Sequence, residues 1–161
     1  MNVVCDSSTL IALARIDCLW ILEKQLRQLI IPREVYNDVV IKGAGKPGSE
    51  EIKKAKWLDV QGVKNRKIVK RLNTKLGLGE SEAIALAKEI KADLVILDDE
   101  EARKIAESEG LKVVGLLAFL IMAKEKGLIG HVKILLDDLR TKDFFIGNIL
   151  YQEILQKVGE I

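Results

Sequence analysis

Rings are scarce in this chain: aromatic residues make up 4% of its 161 positions, and histidine occurs once, at His131. So few rings leave little material for an extended base-stacking platform. Trp20, Trp57, Tyr36, Phe119, Phe144, Phe145 and Tyr151 therefore read as core or interface residues. His131 follows Gly130 and reads as a surface residue near a helix cap rather than a general base. The two cysteines, Cys5 and Cys18, have neither zinc-ligand spacing nor partner pairs, which argues for buried, reduced thiols and against a disulfide framework. Only two prolines and scattered glycines leave no low-complexity linker. One domain over residues 1–161 is the expectation for a chain of this length. No apolar run reaches the ~18 residues of a membrane span, and no basic region precedes an apolar stretch at the N-terminus. A cytoplasmic protein with no membrane partner is expected.

What the chain does have is charge, at 31% of residues, with a formal sum of only +2. That sum is too small to imply a nucleic-acid partner, so distribution has to carry the argument. Lysines and arginines crowd the stretch from Lys53 to Lys75, while acids gather at Glu80 to Glu82 and at Asp98 to Glu101. The basic run over 64–75 has a plain reading as a solvated helix face and a functional one as a phosphate contact.

Short apolar runs alternate with helical periods. Strands are expected over 1–5, 29–31, 57–60 (at an edge), 94–97 and 112–114, each the kind of run a buried parallel strand produces. Between them the spacing predicts helices over 9–15, 33–41, 49–56, 80–90 and 100–108, with 64–76 as helix or loop. Pro32 suits a first helical position, and Ser49 reads as a cap. From Leu116 onward three helices, over 116–126, 131–140 and 148–158, form a helical C-terminal extension. Such alternation predicts an α/β fold with an open, mainly parallel sheet of about five strands, covered by helices on both faces.

In an open parallel sheet, ligands collect beyond the carboxyl ends of the strands. Asp6 follows the first strand and Asp98 the strand over 94–97, so two neighbouring strands would present both acids at one rim. Asp38 and Glu80 lie on helices that begin after a strand end or a glycine loop and can face the same rim. Carboxylates gathered so closely repel one another, and a divalent cation is the simplest compensation. Hard oxygen donors suit Mg2+ or Mn2+, which lower the pKa of a bound water and steady a leaving oxygen. Phosphodiester hydrolysis is the reaction that fits.

Four segments, Val3 to Ile11, Ile31 to Asp38, Gly79 to Ala87 and Leu94 to Asp99, resemble in order the acidic motifs of PIN domains. The tail, Ala102-Arg103 through Gly110, then Val114-Gly115 and Ala123 to Ile129, is similar to a prokaryotic subgroup of uncharacterised PIN proteins. The resemblance implies a three-layer α/β/α sandwich, Mg2+- or Mn2+-dependent cleavage of single-stranded RNA, and frequent service as the toxin of a toxin–antitoxin pair. It adds an antitoxin protein and a homodimer as implied partners. Carried over residue by residue, it assigns metal and catalytic roles to Asp6, Asp38, Glu80 and Asp98, with Ser7 or Ser8 as supporting hydroxyls. Glu34 matches a more variable position. Glu82 and Asp99 are the alternates to Glu80 and Asp98. Glu82 stands about 200° around the helix from Glu80, so both cannot face one ion, and Asp99 has an equally good role as a helix cap. The rival reading, from another class, is a non-catalytic nucleic-acid- or protein-binding module on the same fold.

Overall fold

A computed structural model describes the chain from Met1 to Ile161. Its strands are β1 (Asn2–Cys5), β2 (Gln28–Pro32), β3 (Leu58–Gln61), β4 (Leu94–Ile96) and β5 (Val113–Val114). They form one sheet in the order β3-β2-β1-β4-β5, with every pairing parallel. The expected edge strand is at an edge. Because side chains alternate along a strand, Val3, Cys5, Leu29, Ile31, Leu94 and Ile96 enter one buried cluster while Val4, Ile30, Val95 and Leu97 enter another. Both faces are thus apolar, and both are covered by helices in a three-layer α/β/α arrangement.

The larger cluster takes side chains from α1 (Ser7–Arg15), α2 (Leu19–Gln25), α3 (Arg33–Tyr36) and α4 (Ser49–Lys54). The second is built from α5 (Arg66–Leu72), α6 (Leu78–Glu89) and α7 (Glu100–Ser108). The last three helices, α8 (Leu116–Glu125), α9 (Val132–Thr141) and α10 (Asn148–Lys157), send Phe119, Leu136 and Leu155 into the same cluster as Val3 and Cys5. No helix is long and apolar enough to cross a membrane. Cys5 and Cys18 are free and buried.

Two local expectations need correcting, and one helix forms where none is expected. Residues 33–41 do not form one α-helix: α3 ends at Tyr36, and Asn37–Ile41 is a π-helical turn, closed by the Lys42 N–H donating to the Asn37 carbonyl at 2.8 Å. A π-turn inserts a residue into the helix and rotates the side chains beyond it. It needs Gly43, where a Cβ would stand 2.4 Å from the Val39 carbonyl oxygen. Ser49 is not the cap of α4. Gly48, at φ 92°, holds that position, and the Ser49 hydroxyl instead donates to the Val40 carbonyl at 3.0 Å, tying α4 to the π-turn. The third departure is α2, a helix with no sequence expectation, which buries Leu19, Ile21 and Leu22. The basic run resolves as α5, capped by Asn65, with Val69 and Leu72 inward and its lysines outward.

Candidate active site

Parallel pairing of β1 with β4 sets Cys5 opposite Ile96, so the chain leaves both strands at the same rim. Asp6 is then the N-cap of α1: its Oδ1 accepts from the Thr9 N–H at 3.0 Å, and its Oδ2 accepts from the Asp98 N–H at 2.9 Å. One carboxylate therefore starts a helix and clamps the end of the neighbouring strand. It is 2% exposed. Burial pushes its pKa up, against the pull of the Asp98 and Thr9 hydrogen bonds and of the Arg103 charge. Asp98 is raised too, first by burial and then by the Asp6 charge, with Arg103 opposing. Arg103 is pinned there because its Nη1 donates to the carbonyls of Leu97 at 3.0 Å and Asp98 at 2.6 Å. Asp99 caps α7, its Oδ2 accepting from the Ala102 N–H at 2.9 Å.

The third acid comes from the first turn of α6. Glu80 Oε1 accepts from the Gly77 N–H at 3.3 Å, a long bond that leaves the side chain lightly held. Burial raises its pKa; the Gly77 N–H opposes, and the charges of Asp99, Asp6 and Asp98 add to the rise. Glu82 faces elsewhere. It is 5% exposed, and it accepts from the Glu34 N–H at 3.1 Å and from Arg66 Nη1 at 3.0 Å. That joins α6 to the start of α3 and to α5.

Asp38 reaches the rim through the π-turn. Its Oδ2 lies 3.4 Å from the Ser7 hydroxyl, which donates to it, and beside Gly79, where a Cβ would approach that oxygen to 3.1 Å. Ser7 thus connects the residue after Asp6 to Asp38, and Gly79 does the same from the residue before Glu80. Ser8 is exposed and borders a cleft that also reaches Asp98. Lys42 bridges two acids, 3.2 Å from Glu34 and 3.5 Å from Asp38, and their hydrogen bonds and charges raise its pKa. Lys42 and Arg103 belong to none of the acidic motifs. Lys42 carried a signal, being four residues past Asp38 on a helical face; Arg103 carried none in its spacing.

The donor set is entirely carboxylate oxygen, the hard chemistry that suits Mg2+ or Mn2+. Burial leads the upward shift of all three acids, and neighbouring acid charges add to it at Glu80 and Asp98; a bound cation would offset both effects. No three acidic, histidine or cysteine side chains converge at metal-ligand spacing, however. Asp6 is fixed by its two backbone donors, whereas Glu80 has only the long Gly77 bond.

An open parallel sheet with acids at the ends of adjacent central strands, joined by one from a helix start, places these acids where ligands collect in α/β proteins. A family model described as a PIN domain matches residues 2–160, and the chain belongs to that family. PIN domains are generally nucleases, which places it, in coarse class, among the hydrolases. No curated protein matches the chain.

Proposed function

We propose that the chain is a Mg2+- or Mn2+-dependent endoribonuclease hydrolysing phosphodiester bonds of single-stranded RNA, with Asp6, Glu80 and Asp98, helped by Asp38, at its centre. The observation that carries this reading is the Asp6–Asp98 clamp: a buried carboxylate with one oxygen capping its own helix and the other holding the end of the adjacent strand, with Glu80 close enough to feel the charges of Asp99, Asp6 and Asp98. A divalent ion bound there supplies Lewis-acid activation of water and stabilises the leaving oxygen.

The protein's own contribution is placement. Asp6, held by two backbone N–H groups, would be the fixed member of the set that holds the ion. The Asp98 backbone is held on both sides, its N–H by Asp6 and its carbonyl by Arg103, which aims its side chain. Glu80 gives up only one long hydrogen bond to join them. Ser7 and Lys42 steady Asp38, and Lys42 balances part of its charge.

The alternative, a non-catalytic binding module, draws on the lack of three convergent ligands. Incubating the protein with single-stranded RNA and Mn2+, beside Asp6→Asn, separates the two. The endoribonuclease reading expects cleavage by the wild type alone. Equal cleavage by both proteins sinks it, and RNA binding without cleavage favours the module. A toxin role would add an antitoxin protein without changing the chemistry, and co-purification with the product of an adjoining gene tests it. A light-scattering mass tests the homodimer.

A further inference from the structure

A cavity of about 480 Å3 opens beside Asp98, with Arg103 and Gly115 at its inner end and Phe145, Leu150 and Lys157 at its mouth. Gly115 lets the Arg103 guanidinium approach closely, since a Cβ there would stand 3.0 Å from its Nη1. Phe145 is 90% exposed, which sets aside the core role and leaves the interface role expected of it. Its exposure is built in, not slack. The loop between α9 and α10 turns at Asp143, in the left-handed region at φ 64°, a conformation uncommon outside glycine. The Phe144 N–H donates to the Leu139 carbonyl at 3.1 Å, and Arg140 Nη2 donates to the Ile146 carbonyl at 2.8 Å. Phe144 packs on the core. Its neighbour is displayed by a loop fixed on both sides.

We propose that this cavity is a nucleotide subsite for the strand being cut: the Phe145 ring stacks one base, and the Lys157 ammonium neutralises the phosphate attached to it. The inference rests on the endoribonuclease reading and extends it to where the substrate lies. The volume is within the roughly 300–1,000 Å3 of small-ligand sites. Its charged lining is two cations, Arg103 and Lys157, and two acids, Asp98 and Glu153. That balance suits an uncharged base carrying one phosphate rather than a run of phosphates. Continuity with Asp98 favours the substrate over a protein partner as occupant, and one displayed ring suffices where a long aromatic platform is lacking.

The test uses the single-stranded RNA of the cleavage assay, titrated in EDTA by fluorescence anisotropy against the wild type, Phe145→Ala, Phe145→Trp and Lys157→Gln. Both positions are exposed, so the variants fold; circular dichroism verifies it. Phe145→Ala should bind about ten-fold or more weakly, with Phe145→Trp restoring affinity. Lys157→Gln should flatten the dependence of log affinity on log salt by about 0.7. With Mn2+ present, KM should rise in Phe145→Ala and Lys157→Gln while kcat stays near the wild-type value. Unchanged affinity in Phe145→Ala and an unchanged salt slope in Lys157→Gln, with a wild type that binds and cuts RNA, overturn the subsite and leave the endoribonuclease standing. A wild type that neither binds nor cuts RNA overturns both. A switch from dimer to monomer in Phe145→Ala, with its RNA affinity intact, assigns the ring to a protein surface and overturns the subsite alone.

Discussion

Glu160 offers the sharpest test of what holds the C-terminal helices. Its carboxylate accepts from Lys124 Nζ at 2.8 Å, from the Val132 N–H at 2.7 Å and from the Lys133 N–H at 2.9 Å. One side chain therefore caps α9 and ties the end of α10 to α8. Burial works against its ionisation, yet Lys124 and the two N–H groups outweigh that and bring its pKa from 4.5 down to about 2. At about 1.4 kcal/mol per unit the ceiling is roughly 3 kcal/mol. Lys124 is 24% exposed, and screening by that water lowers the expectation to about 2 kcal/mol. Glu160→Gln should then lower Tm by about 4–8 °C at pH 7. The folded pKa lies below the unfolded one, so this stability is complete above the unfolded value and is lost as pH falls through the folded value. Urea denaturation of both proteins at pH 7 and pH 3 should show the difference shrinking to less than about half at the lower pH. An equal loss at both pH values, or none at pH 7, would refute the assignment to the carboxylate charge.

Glu82→Gln should cost about 1 kcal/mol of stability, by weakening the bonds a buried carboxylate accepts from the half-exposed Arg66 and from the Glu34 N–H, and leave RNA cleavage largely intact. Glu80→Gln should do the reverse; the opposite pairing in melting and cleavage assays would exchange the two roles. Asp99→Ala removes the cap of α7 and one charge that bears on Glu80; it should lower stability by about 1 kcal/mol with cleavage retained. Asp98→Ala should abolish cleavage. Gly43→Ala puts a methyl 2.4 Å from the Val39 carbonyl oxygen, which should destabilise by about 1–3 kcal/mol. The π-turn would shift with it, and cleavage should fall roughly 10- to 100-fold as Asp38 is displaced. An active, fully stable Gly43→Ala protein would show that Asp38 does not depend on that turn.

The parts legible in the sequence were those set by neighbours along the chain. Val3-Val4-Cys5 and Val95-Ile96-Leu97 are apolar on both faces, which dictates buried parallel strands, and the acid that follows each has to emerge at the rim. Asp99 as a cap was readable from the helix period after it. The parts that escaped are joined across long separations. Glu82 finds Glu34 at 48 residues and Arg66 at 16, so its role depends on how α6 packs against α3 and α5. Asp38 sits in a stretch whose apolar positions Val35, Val39 and Val40 suit an α-helix as well as a π-turn, and only Gly43 hints at the difference. Phe144 and Phe145 are chemically identical, yet one is packed and the other displayed, because Asp143 and the Arg140 contacts turn the chain between two helices.

The central claim is that Asp6, Glu80 and Asp98 close around a divalent ion. Anomalous diffraction from a crystal soaked in Mn2+ measures it directly. The account predicts a peak at the β1–β4 rim bound by those three carboxylates at about 2.0–2.2 Å, with Asp38 at its edge. A peak ligated by Glu82 or Asp99, or no peak at the Asp6–Asp98 clamp under saturating Mn2+, would contradict it.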